Sequence, residues 1–283
     1  MRGEFVDIDG SRLYYYAAGT RGAGEPVVFI HGFPASSHLW HDVVRQMPAG
    51  HRLVVLDLLG FGRSDRTGAS VSASPSVDAH ATRLLRLLDD LRIDAACLVG
   101  HALGGAVAQA AAVLAPTRVA RLCLVNSVAF DAWPRGAARL ARAIAHAPAL
   151  ARLAGAPLLA GLIHGSLLRG FADRERGRHA LDQFLHAFTA RLGVDSLIAQ
   201  LNAMHDAGVP ALGARLGTLR CPTAILAGAR DPFLPATLPT RLHEAIAGST
   251  LEVIEGARHF LPDDAPDRVA GALGALLERP SRI

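Results

Sequence analysis

Between Pro26 and Asn126, short runs rich in Val, Ile and Leu (VVFI, RLVVLDL, ACLVG and RLCLVN) alternate with longer amphipathic stretches, among them VDAHATRLLRLLDDL and GGAVAQAAAVLA. A strand that is apolar along its whole length must be covered on both faces, and the intervening helices supply that cover. The alternation therefore restricts the chain to a mostly parallel α/β sheet with helices on either side. Ahead of it, GEFVDID and SRLYYYAA alternate in polarity around Gly10 and read as an opening hairpin.

After Asn126 the strand signals stop for about ninety residues. Leu/Ala/Arg-rich helical periodicity takes over, broken by Pro134, Pro148, Pro157, Gly170 and Gly193. The strand pattern resumes at TAILAG and LEVIEG, each followed by a helical stretch, so the insertion interrupts one sheet. The expected organisation is a core formed by 1–130 and 218–283, with a helical cap over 131–217. No internal repeat or low-complexity linker divides the 283 residues further.

Composition narrows the function classes. The net charge is +4, every basic residue is arginine, and the arginines are scattered through helical segments such as RGAARLARAI. Nucleic-acid binding would want them clustered on one face. No run approaches the roughly 18 uninterrupted apolar residues of a membrane span. Glu4, Asp7 and Asp9 stand where a secretory signal would be apolar. The expectation is a soluble, cytoplasmic protein acting on a small molecule, with neither nucleic acid nor membrane as partner, and with its oligomeric state left open. Cys97, Cys123 and Cys221 lie in or beside apolar runs and read as small buried hydrophobes. No metal-ligand spacing and no phosphate-binding loop is present, so neither metal nor cofactor is expected.

The chemistry is concentrated at ACLVGHALGGAVAQAAA. A buried strand runs through a glycine-flanked turn straight into a helix, the setting of a nucleophile elbow, where small flanking residues let strand and helix approach while the central residue projects above the sheet. The frame is Gly100, His101, Ala102, Leu103, Gly104, with Gly105 beyond it; Ala102 stands at the nucleophile position. Two further signals follow in the order nucleophile, acid, histidine: TAILAGARD ends a strand at Asp231, and STLEVIEGARH ends the next at His259. Ligands bind at the carboxyl edge of such sheets. A carboxylate on one imidazole nitrogen fixes the tautomer and leaves the other free to take a proton, which makes Asp231 the orienting acid and His259 the base. The oxyanion hole is expected from the backbone N–H groups of Leu103 and of Phe33 in VVFIHGFPASSHLW.

These motifs together resemble the α/β-hydrolase superfamily, specifically capped enzymes that share an HG-x-P loop and a GHS-x-GG elbow. The likeness covers about 25 to 130 and 218 to the end, and DLLGFGRSDR resembles the family's turn after the fourth strand. It implies an eight-stranded, mostly parallel sheet with a helical cap inserted after the sixth strand. For His31 and His101 it implies supporting roles. Members with an aspartate nucleophile fit poorly: the only tyrosines are Tyr14, Tyr15 and Tyr16 in the hairpin, so lid tyrosines that would protonate an epoxide are missing, and Leu103 replaces the halide-binding tryptophan of a dehalogenase.

Other polar residues have structural readings. Asp57 and Asp65 are expected to fix their loop through exposed backbone N–H groups. Asp263 and Asp264 are expected to help start the last helix. Phe184 and Phe188 are four apart and share a helix face. They join Trp133 and Phe233 as candidate substrate contacts, with Phe171 and Met204 comparably placed. The absence of a charged clamp in the cap favours a substrate with a sizeable apolar part.

Two accounts of Ala102 remain. In one, serine is the parental residue, the chain is a Ser→Ala form, and the parental enzyme hydrolyses an ester, thioester, lactone or carbon–carbon bond. In the other, alanine is native, and Asp231 with His259 moves protons without covalent catalysis, as in a decarboxylation or cyclisation, or the pocket only binds a ligand.

Overall fold

The computed structural model describes residues 3–19, 24–66, 76–132, 143, 147–203 and 208–280. It opens with the expected hairpin, β1 (Gly3–Ile8) and β2 (Ser11–Gly19). Asp9 (φ 55°) and Gly10 (φ 74°) turn between them, and Gly10 N donates to Asp7 Oδ1 at 2.9 Å. Two central residues with positive φ match the twist of the flanking strands.

The remaining strands are β3 (Val27–Ile30), β4 (Arg52–Leu56), β5 (Ala96–His101), β6 (Val119–Val125), β7 (Thr223–Gly228) and β8 (Thr250–Ile254). They form one eight-stranded sheet in the order β1-β2-β4-β3-β5-β6-β7-β8. Only the pairings of β2, with β1 and with β4, are antiparallel. β3, β5, β6 and β7 are buried along their whole length, which is why their sequences do not alternate in polarity.

Helices cover both faces. After the short α1 (His41–Gln46), α2 (Val77–Asp90) is capped by Ser76, whose hydroxyl accepts from Ala79 N at 3.2 Å, and it turns Val77, Ala81, Leu84, Leu87 and Leu88 inward. The central helix α3 (Leu103–Leu114) has 11 buried residues among its 12, consistent with its nearly unbroken Ala/Gly/Val sequence.

Helices, and no strand among the described residues, occupy the chain between β6 and β7. α4 (Pro148–Leu167) is broken at Gly155 (φ 78°), two residues before Pro157. α5 (Arg174–Ala187) is capped by Asp173 and passes through a π-helical turn, Phe188–Leu192, into α6 (Gly193–Ala203). A one-turn α7 (Gly208–Gly213) precedes β7. The segment Pro148–Gly170 is long and apolar enough to span a bilayer by length and composition; about a third of it is buried in the protein, and Leu150, Leu153, Leu158 and Leu162 face outward. After β7 and β8 come α8 (Leu238–Ala245), the short α9 (Leu261–Asp264) and α10 (Pro266–Glu278).

Candidate active site

Ala102 joins β5 to α3 with φ 49° and ψ −112°, a region that residues bearing a Cβ rarely occupy. The turn is held on every side. Ala102 N donates to Val125 O at 3.2 Å, and Ala102 O accepts from the N–H groups of Gly105 (3.1 Å), Ala106 (3.3 Å) and Val128 (3.1 Å). A Cβ on Gly100 would meet Gly104 O at 2.3 Å, and one on Gly104 would meet Ile30 O at 2.3 Å, so the glycine frame is required by close backbone approach. Leu103 opens α3, where a first-turn N–H has no intrahelical acceptor.

Asp231 follows β7 and His259 follows β8, at the same carboxyl edge of the sheet as Ala102. His259 Nδ1 donates to Asp231 Oδ2 at 2.8 Å, which leaves Nε2 as the imidazole's proton acceptor. Asp231 Oδ1 accepts from Phe233 N (2.8 Å) and Leu234 N (3.2 Å). Burial works against the charge of Asp231, but His259 and these hydrogen bonds outweigh it and hold the carboxyl below its ordinary range.

Asn126, which sequence reasoning used only as the end of a strand, proves to be the joint of the site. Its Nδ2 donates to Asp231 Oδ2 (3.0 Å), Arg258 O (2.8 Å) and His259 O (3.0 Å), while its Oδ1 accepts from Gly228 N (2.8 Å). Its φ of 40° is a conformation asparagine tolerates better than most residues.

The two flanking histidines are structural. Leu58 N donates to His31 Nε2 at 3.0 Å, so the proton sits on Nδ1 and is donated to Gly32 O at 2.9 Å. His101 Nε2 donates to His259 O at 2.9 Å, and burial pushes its pKa down to about 3, which keeps the ring neutral. Between them Gly32 lets the HGFP loop touch the elbow: a Cβ there would stand 2.8 Å from both the Ala102 Cβ and His101 O. Phe33 follows at once. Asp57 accepts from Ser37 N and Arg63 N, and Asp65 from Arg12 N, so both carboxylates fix loops.

Asp263 and Asp264 depart from expectation. Neither caps α10, whose N-cap is Ala265. Asp264 instead accepts from Arg258 N (2.8 Å) and Ala172 N (2.9 Å), joining the histidine loop to the segment after α4. Phe260 N donates to Gly170 O at 3.0 Å across the same junction. Asp263 is half-buried beside Arg176 (3.8 Å), and desolvation raises its pKa to about 7. The first turn of that helix has Pro266 and its own carboxylate, Asp267, in place of the two preceding aspartates.

Aromatic rings pack around His259 and Phe33. Phe233 stands edge-on to His259 at 5.0 Å. Phe171 stacks on Phe260 at 4.1 Å. Phe184 and Phe188 are both buried but meet different neighbours: Phe184 lies 6.3 Å from Phe260, whereas Phe188 lies 6.5 Å from Phe33 and 6.0 Å from Phe61. Trp133 and Met204 lie outside the described residues. All three cysteines are free, and burial raises the Cys123 thiol to about 12.

Comparison with known proteins adds to this geometry. A family model described as the alpha/beta hydrolase fold matches residues 25–266. A putative carbamate hydrolase of Variovorax paradoxus is 30% identical over 240 residues, covering 84% of each chain. Haloalkane dehalogenase 2 of Mycobacterium bovis is 28% identical over 95% of this chain and 92% of its own. A thermophilic esterase from Thermogutta terrifontis superposes with a TM-score of 0.79 at 25% identity, covering 98% of both chains.

Proposed function

Because this chain belongs to the α/β-hydrolase family, we propose that it is the alanine form of a serine hydrolase, with Ala102 standing where the parental nucleophile stood. The observation that carries the reading is the 2.8 Å contact of His259 Nδ1 with Asp231 beside an elbow that keeps φ 49° at a residue with no functional group of its own. With serine at 102, Oγ would attack a substrate carbonyl and His259 Nε2 would take its proton. The N–H groups of Phe33 and Leu103 would hold the developing oxyanion. His259 would then return the proton to the leaving group, and water would release the acid by the same route.

The inserted helices act as a cap in this reading, and the buried rings of Phe33, Phe188 and Phe233 favour a carbonyl substrate with a sizeable apolar part. Ester, thioester, lactone and carbon–carbon bond hydrolysis share these steps. The test is Ala102→Ser: the variant should form a covalent adduct with a fluorophosphonate probe and hydrolyse short acyl esters. Absence of both rejects the reading. The intact His259–Asp231 pair also supports a second reading, non-covalent proton transfer with alanine as the native residue. That reading requires turnover by the Ala102 protein that His259→Ala abolishes.

A further inference from the structure

A cleft of about 730 Å³ opens between β2, the loop after the HGFP motif, α1 and the end of α5, and its lining includes none of Ala102, Leu103, Asp231 or His259. Three guanidinium groups, Arg45, Arg63 and Arg191, face it with a single carboxylate, Asp57. Two of the three are already oriented. Arg63 lies over the Tyr14 ring, 5.0 Å from its centroid, and donates to the Tyr14 hydroxyl at 3.1 Å; Arg191 donates to Gly62 O at 2.7 Å and to Ser64 O. Arg45 is exposed, and its guanidinium forms no hydrogen bond or ion pair among the described residues. The charge of Asp57 is taken up by Ser37 N and Arg63 N, so the cleft keeps a positive excess.

A second observation points the same way. Tyr16 lines the cleft, is 8% exposed, and its hydroxyl has no hydrogen-bond partner. Buried hydroxyls are nearly always paired. Burial also holds its ionisation well above the ordinary tyrosine value, so it remains a donor.

We propose that this cleft is a second binding site, separate from the elbow, for a small carboxylate-bearing organic anion, which Arg45 and Tyr16 bind between the core and the inserted helix α5. Planar guanidinium groups match a carboxylate bidentately. The bound anion would touch Arg63 on the core side and Arg191 on the inserted side, so it would tie the two together.

The experiment is calorimetric titration of malonate into the purified Ala102 protein at constant ionic strength. The expected result is saturable one-site binding, weakened about tenfold by Arg45→Ala and several-fold by Tyr16→Phe, and unchanged by Arg215→Ala, an exposed arginine outside the cleft. Inorganic phosphate should bind more weakly than malonate. Lack of saturable malonate binding overturns the proposal, as does binding that neither Arg45→Ala nor Tyr16→Phe alters. Tighter binding of phosphate than of malonate overturns the carboxylate assignment.

Discussion

Asn126 Nδ2 sits 3.0 Å from Asp231 Oδ2, on the same oxygen that accepts from His259 at 2.8 Å. One amide therefore holds Asp231, while its further contacts with Arg258 O and His259 O hold the loop that carries His259. In the Ala102→Ser protein, Asn126→Ala should lower kcat roughly thirtyfold, the equivalent of about 2 kcal/mol for a hydrogen bond to a charged group. KM should change little, because Asn126 orients the dyad and does not reach the substrate. Steady-state kinetics on a short acyl ester checks the split; an unchanged kcat would remove Asn126 from the site.

Gly32→Ala should destabilise the fold by about 2 kcal/mol in urea unfolding, since the added methyl would arrive 2.8 Å from the Ala102 Cβ and from His101 O. Adding Ala102→Gly removes one of the two clashes and should recover part of the loss, a non-additivity expected of residues in contact.

Phe188→Ala should cost about 4 kcal/mol, the range for deleting a fully buried ring. Its partners are Phe33 and Phe61, and Phe33 carries a proposed oxyanion donor, so Phe188→Leu in the Ala102→Ser protein should lower kcat even where the fold survives. Thermal melts and ester kinetics on the two variants separate the effects.

Asp263 gives a pH signature. Its carboxyl is raised from 3.8 to about 7 by burial, so the folded state binds a proton that the unfolded chain has already released between those values. Stability from this group is greatest below about pH 4, falls as pH rises, and levels off above about pH 7, with about 4 kcal/mol as the upper limit of the loss. Asp263→Asn should leave stability at pH 4 nearly unchanged and raise it at pH 8, as read from urea midpoints.

Much of this arrangement is written in local sequence. The hairpin at Gly10, the apolar strands and the glycine frame around Ala102 are short-range patterns, and Asp231 and His259 are legible because each ends a strand. Asn126 is not, because its partners lie 105 and 133 positions away and nothing around it differs from an ordinary strand end. Asp264 looked like a helix start for the same reason: its acceptor role depends on Ala172, 92 positions distant. Phe184 and Phe188 share a face in a regular helix, but the π-helical turn beginning at Phe188 redirects the second ring toward Phe33.

The carboxylate of Asp264, shared between Arg258 N and Ala172 N, also bears on how such a protein could change its specificity. A foreign helical segment grafted between β6 and β7 would have to offer a backbone acceptor to Phe260 N and a backbone donor to Asp264 in the same places, or the loop carrying His259 would lose these contacts with the insertion. Exchange of the insertion must therefore keep the backbone path from Arg169 to Ala172, even if every helix around it is replaced.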